Sequence, residues 1–394
     1  MTDQKRTLFI HIGVRKTGTS AIQDFLDLNR DRLYRDGYIF RLPKLYDYDR
    51  STRIKNSKGE EVLVENFRIY PKLRNGIFLH GNPGDPHEEN VRRLNKGLRI
   101  IKKWLNEKPN VILTDEHISR DWSRWDFLKR VKEFSAENDF DVRVIIFLRK
   151  QDVFLDSFYR QDVKDHFPTE KWDAFLSGNK HSDMIPTNYE KMLASFSAIF
   201  GKENLDVIPY EPGIWAKDGG SIFSVIMDAI GITDQQGYEL PGGLSNESTT
   251  YNQTEIMRIL NRLTEASDPL KVKTKKFFEK ASIDCSGISK DKRKLSYFSD
   301  NERRDLMDEY KDENRRIARE YLNRDELFLS GDSSAEKWEY DLLAMQEEMI
   351  LYFGYVTKQL HEEIQSLREN SLSFYSIKLK LYRIKKKILN HLYR

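Results

Sequence analysis

One ammonium and three hydroxyls, from Lys16, Thr17, Thr19 and Ser20, crowd a loop bounded by Gly13 and Gly18, with Arg15 beside them. Glycine admits backbone geometry that a side chain would block, so successive N–H groups in such a loop can face one anion. A helix starting near Thr19 would add its positive dipole end. A second set of groups follows the most apolar run of the chain: Arg149, and Ser157 eight residues later. The arginine leaves the strand and the serine lies one to two turns into the next helix, so a guanidinium fork and a hydroxyl can converge on one phosphate. A third set, Thr114-Asp115-Glu116-His117, places three titratable groups at the end of a short apolar strand. The chemistry within reach is transfer of a charged group, with cations for the leaving oxygen and a base for the acceptor proton.

The elements that must carry these groups are legible in order. Leu8 to Ile12 reads as a buried strand, and Ile22, Phe25, Leu26, Asn29 and Leu33 fall on helical spacing up to Gly37. Tyr38-Ile39-Phe40, Val111 to Thr114, Val142 to Leu148 and Leu205 to Glu211 are further strand runs. Asp85 reads as an N-cap with Pro86 at the first position of a helix whose stripe is Val91, Leu94, Leu98, Ile101 and Leu105. Helices are also expected over 152–165, 221–230, 252–264 and 300–321. Strands alternating with helices imply an α/β fold, an open and mainly parallel sheet flanked by helices, with ligands at the carboxyl ends of the strands. Asn56-Ser57-Lys58-Gly59 reads as a hairpin or loop within a polar stretch from Arg41 to Asp85. Past a Ser-Gly-Asp-Ser-Ser linker at 330–334, apolar residues from Trp338 to Leu367 recur at three- and four-residue steps, as on one long helix that Gly354 weakens slightly.

The loop departs from the triphosphate-binding pattern G-x-x-x-x-G-K-[ST], because Thr19 follows Gly18 and the lysine lies two positions before it. With that displacement, Arg15-Lys16-Thr17-Gly18-Thr19-Ser20 resembles the 5′-phosphosulfate loop of sulfotransferases that use 3′-phosphoadenosine 5′-phosphosulfate (PAPS). Arg149 and Ser157 resemble the 3′-phosphate site of the same family. So do the Ser-Tyr-Gln order of that helix and the run from Asn188-Tyr189 to Phe200-Gly201-Lys202-Glu203-Asn204-Leu205. The resemblance covers about residues 7–330. It implies a P-loop-like sulfotransferase domain over 1–330, whose 41–85 insertion is a candidate acceptor lobe, and a C-terminal helical extension over 331–394.

It implies also PAPS as co-substrate, 3′,5′-ADP as product, a glycan or other hydroxylated acceptor, and no metal. In related enzymes acting on sugars the base is often a glutamate at this strand end. Glu116 is the first choice here and His117 the second, while Lys16 supplies charge at the leaving oxygen. The bland alternatives stay open: Asp115 or Glu116 capping the next helix or pairing with Arg120, and Arg149 pairing with Asp152 or Asp156. Tyr46, Tyr48 and Tyr70, beside Arg50, Arg53, Lys55 and Arg68, are equally a sugar-stacking site or a surface lobe. The basic segment from Lys271 to Lys294 is a second place to look for the acceptor. His80, His87, His166 and His181 lack metal-like spacing and read as ordinary surface or loop residues.

The whole chain of 394 residues has a net charge of only +3, which gives no case for nucleic-acid binding. Its single cysteine, Cys285, excludes an intramolecular disulfide and suits a reducing compartment. No apolar run approaches a membrane span, and the first strand starts too near Met1 for a signal peptide, so a cytoplasmic enzyme is expected. The animal secretory sulfotransferases usually carry a membrane anchor, so its absence points to a bacterial enzyme or a trimmed chain. Residues 376–394 hold seven cations and no carboxylate around the stripe Ile377, Leu381, Ile384, Ile388 and Leu392. That end reads as a basic amphipathic helix for an anionic membrane surface, a partner or an oligomer, or as a helix packed on its own chain. Two other classes remain in view. One is an ATP-dependent kinase or ATPase, for which Asp115-Glu116 would hold magnesium. The other is a non-catalytic scaffold on a decayed nucleotide fold.

Overall fold

The computed structural model describes residues 5–45, 52–55, 61–64, 74–81, 85–121, 126–165, 168–179, 187–242, 249–262, 294–329 and 335–392. These residues form two compact units, one over 1–159, 170–248 and 296–337, the other over 160–169, 249–295 and 338–394.

The first unit is an α/β layer structure built on five parallel strands: β1 (Thr7–Gly13), β2 (Tyr38–Ile39), β3 (Asn110–Thr114), β4 (Asp141–Leu148) and β5 (Leu205–Pro209). Their order across the sheet is β2-β3-β1-β4-β5, so the first strand lies in the middle. Thr7 to His11 pair with Asn110 to Thr114 on one side, and Thr7 to Gly13 with Asp141 to Phe147 on the other. Successive side chains of a strand face opposite ways, and both faces of β1 are covered, which is why it reads as a continuous apolar run. One face packs on α1 (Thr19–Leu28), α2 (Arg30–Arg35) and the helix Ile222–Ala229, through Phe9, Ile22, Phe25, Leu26, Ile145, Phe147 and Ile226. Helices His87–Glu107, Phe127–Glu137 and Tyr189–Phe200 lie against β3 and β4.

The expected strands are all present. An antiparallel pair, Thr52–Lys55 with Glu61–Val64, flanks the predicted hairpin segment. Asp85 is not the cap of its helix: Pro86 takes that position, and Asp85 pairs with Arg93, about two turns into the helix. The helical pattern over 300–321 is two helices, Asp300–Glu309 and Lys311–Leu322.

In the second unit the helix Tyr251–Leu260 packs on a helix of 51 residues, Leu342–Leu392. The basic end is the continuation of that helix, so it does not fold back onto the helix before it. Arg160 caps the segment at Thr249, donating to its carbonyl at 3.0 Å and lying over the Tyr251 ring at 4.7 Å. Cys285, the 263–293 segment and the 330–334 linker lie outside the described residues. No helix among the described residues is long and apolar enough to cross a membrane.

Candidate active site at three strand ends

Because β3, β1 and β4 are neighbours, the residues that follow them emerge side by side, and chain order reverses at β1, where open α/β sheets leave a crevice. After β1, the Val14 N–H donates to the Phe147 carbonyl at 3.1 Å, extending the ladder into the loop. Lys16 then takes φ 69 and Gly18 φ 77, both left-handed. A lysine in that conformation is strained, and strain of this kind collects at ligand-binding turns. The Thr17 hydroxyl donates to the Val14 carbonyl at 2.6 Å and closes the turn. A Cβ on Gly13 would lie 2.5 Å from Thr19 Oγ1 and 2.6 Å from Thr17 Oγ1, so glycine here is what lets both hydroxyls approach the strand end. Helix α1 begins immediately, with Thr19 in its first turn and Ser20 half-buried next to it.

Thr19 Oγ1 is buried and has no hydrogen-bond partner, and the same holds for His11 Nε2, close by on β1. His11 Nδ1 is 2.9 Å from Thr114 Oγ1, and its ring stands edge-on to Phe147. Burial pulls this imidazole down to about 3, so it stays neutral. Gln23 donates to the same Thr114 oxygen at 3.5 Å, so the Thr114 hydroxyl ties His11 to helix α1.

From β4, Arg149 donates to the Lys16 carbonyl and lies over the Tyr210 ring at 5.6 Å. Its own carbonyl accepts from the Tyr189 hydroxyl at 2.6 Å. The two carboxylates weighed as its partners are engaged elsewhere: Asp152 with Arg303 at 3.2 Å, Asp156 with Ser296 Oγ and the Tyr297 N–H. The Ser157 hydroxyl is buried in its own helix, donating to the Val153 carbonyl at 2.9 Å. The guanidinium of Arg15 lies 5.3 Å over the ring of Phe158. Thus Arg15, Lys16, Thr17, Gly18, Thr19, Ser20 and Arg149 share one sheet edge.

At the end of β3 the picture differs. Asp115 is fully buried, and its Oδ1 accepts from Arg74 at 2.6 and 3.2 Å and from the His117 N–H at 2.9 Å. His80 Nε2 is 3.4 Å from Oδ2. Burial would raise this carboxyl, but Arg74 and His80 hold it well below the usual range. Arg74 is placed by its neighbour Asn75, whose amide donates to the Ile112 carbonyl at 2.8 Å and accepts from the Thr114 N–H at 2.7 Å. His80 is therefore a buried member of this cluster, not the surface residue its spacing suggested. His87 is exposed as expected, and His166 and His181 lie outside the described residues.

Glu116 and His117 are both partly exposed, with Oε1 and Nε2 3.9 Å apart. Burial pushes the Glu116 carboxyl up, against the pull of Arg15, Arg74 and Lys16. His117 is lowered to about 3 by burial and by the charges of Arg74 and Arg15. Of the two base candidates, Glu116 moves toward working pH and His117 away from it. Among the described residues, His80, Asp115 and His117 bring three ligand atoms within 4.8 Å of one another. The Arg74 guanidinium already sits on Asp115 and 3.5 Å from His80 Nε2, so the space is organised around a cation of the chain itself.

No family model matches the chain, and no curated protein matches it. Among solved structures, a sulfotransferase from Alicyclobacillus acidocaldarius is similar at 12% identity with a TM-score of 0.33, over 60% of this chain and 85% of that one.

Arg74, Asn75, His80 and His11 are site residues that sequence reasoning missed. His11 had a signal, a titratable ring inside an otherwise apolar strand. Arg74 and His80 had none, because their partner is more than thirty residues away and burial is a property of the fold.

Proposed function

We propose that the protein is a sulfotransferase moving a sulfuryl group from PAPS to a hydroxyl or amine, on a glycan or another hydroxylated acceptor. The observation that carries this reading is the contact of Arg149 with the Lys16 carbonyl, which brings the guanidinium after β4 onto the loop after β1. The buried, unpartnered Thr19 hydroxyl supports it, since a polar atom without a partner in the protein suits an anion oxygen as its partner. In this mechanism the acceptor oxygen attacks sulfur, the bond from sulfur to the phosphate oxygen breaks, and 3′,5′-ADP leaves. Glu116 takes the acceptor proton. Lys16, with the loop N–H groups, stabilises the charge on the leaving phosphate, while Arg149 and Ser157 bind the 3′-phosphate. Catalysis belongs to the sheet-bearing unit, with 331–394 as an extension. The acceptor is expected along segments 41–85 and 271–294, most of which lie outside the described residues.

The kinase alternative needs Asp115 with Glu116 as magnesium ligands, and Arg74 already occupies the Asp115 carboxylate. Labelled PAPS offered with a panel of polysaccharides tests the reading directly. Adding 3′,5′-ADP at a hundred times its dissociation constant should stabilise the fold by about 2.7 kcal/mol. Full transfer activity in both Lys16→Ala and Arg149→Ala would overturn the assignment. Magnesium-dependent ATP turnover without a response to 3′,5′-ADP would move it to the kinases, and no nucleotide response of any kind to a scaffold.

A further inference from the structure

The helix Leu342–Leu392 carries more apolar surface than its own unit covers. At a rise of about 1.5 Å per residue it is roughly 76 Å long. Its first turns are docked: Met345 and Tyr352 are buried, Gln253 donates to the Tyr352 hydroxyl at 2.8 Å, and Asn252 donates to Glu348 at 2.9 Å. From 357 to 369 every residue except Gln359 is exposed. Phe353, Leu360 and Leu367 are 57%, 44% and 62% exposed, and Ile364 beside them 47%. The three are seven residues apart, and the sequence continues the step with Phe374, Leu381 and Ile388. Six apolar residues at a strict seven-residue repeat are the seam of a coiled coil; at the intervening positions Val356, Ile377 and Ile384 extend it at both ends, with Glu363 and Asn370 polar in the middle. An isolated helix with such a seam in water lacks the tertiary packing from which most helical stability comes.

The charges say what covers it. Residues 342–369 hold five glutamates against Lys358 and Arg368, whereas 370–392 hold six lysines and arginines and no carboxylate. Laid parallel, two copies would set six cations beside six. Laid antiparallel, each basic half meets an acidic half. An anionic lipid surface would take the basic half alone and leave the seam next to five carboxylates in water. We infer that a second copy of this chain covers the seam, in an antiparallel two-helix coiled coil. By two-fold symmetry the core positions then alternate across the pair, with Phe353 facing Ile384 of the partner subunit and Leu360 facing Ile377 of the partner subunit. This does not depend on the reaction catalysed.

Sedimentation equilibrium of the full chain should give a dimer at micromolar concentration, and Leu360→Glu with Leu367→Glu should weaken it by at least about tenfold. Both positions are exposed, so the variant keeps its fold, which circular dichroism checks. The orientation is read in a Cys285→Ser background from two single variants, Phe353→Cys and Ile384→Cys. Under mild oxidation a mixture of the two should cross-link, and neither should cross-link with itself. Self-linking of either variant overturns the antiparallel arrangement. A chain that stays monomeric, including one that binds phosphatidylserine vesicles as a monomer, or a dimer indifferent to the two glutamates, overturns the proposal.

Discussion

Two clusters of charged and polar groups sit at one edge of the same sheet, and they are built on opposite principles. After β3, each oxygen of Asp115 has a partner in Arg74, His80 or the His117 N–H. After β1 and β4, the loop holds a strained lysine and a hydroxyl with no partner at all. A closed network of buried charges fixes a position, because removing any member leaves another uncompensated. An open one stores the cost of unmet hydrogen bonds and releases it when a ligand arrives. The first cluster fixes the strand end from which Glu116 follows, and the second is where the donor of the proposed reaction is expected.

If that division is right, the largest effect on stability comes from the closed cluster. Arg74→Met leaves Asp115 charged in a dry site and should cost about 3–5 kcal/mol of unfolding free energy, read by denaturant titration. Asp115→Asn in the same background should recover much of that loss, since it removes the stranded charge. A small effect of Arg74→Met would mean the cluster is wet and the contrast false.

The open cluster should respond in the reverse sense. Lys16→Gly removes the ammonium and also relieves the left-handed strain, so kcat/KM should fall by roughly 10²–10³ while the melting temperature holds or rises. In the unaltered protein, the proposed transfer activity should climb with pH through a midpoint above the ordinary glutamate value of about 4.3, because burial raises Glu116 and only its carboxylate accepts a proton. Glu116→Gln should remove that limb.

Acid separates the clusters more gently. The unfolded chain protonates its histidines below about 6.5, whereas folded His11 and His117 resist protonation until about 3. Stability should therefore decline as pH falls between those values, by about 1.4 kcal/mol per pH unit for each histidine. His117→Gln should reduce the slope by one histidine's share, about 1.4 kcal/mol per pH unit, which equilibrium unfolding at pH 6, 5 and 4 will read.

How much of this was legible follows the range of each interaction. The strands and the glycine turn from β1 into α1 are local, written in apolar runs and paired glycines, and their places in the chain were read correctly. The long helix was also expected, and Gly354, costing about 1 kcal/mol, does not interrupt it. Asp85 was misread as a cap because a carboxylate before Pro86 satisfies the local rule, while its partner Arg93 lies about two turns inside the helix. His80 was misread for the same reason on a larger scale: spacing along the chain says nothing of a residue brought under Asp115 by Asn75 pinning the end of β3. Groups whose role is set by the next few residues can be read from sequence, whereas groups whose role is set by burial cannot.

The finest test of the contrast is the smallest change. Thr19→Val replaces a buried, unpartnered hydroxyl by a methyl of the same shape. In a satisfied site such a swap costs a hydrogen bond, but here nothing within the protein is lost, so the free protein should be unchanged or up to about 1 kcal/mol more stable. The same substitution should weaken 3′,5′-ADP by about 1 kcal/mol or more, roughly fivefold, since the hydroxyl's only partner would be the ligand. Thr114→Val, on the closed side, has its hydroxyl bonded to His11 and Gln23 and should lose stability without that selective loss of affinity. Equal behaviour of the two variants would mean that Thr19 finds a partner in solution, and the distinction between a closed and an open cluster would fall with it.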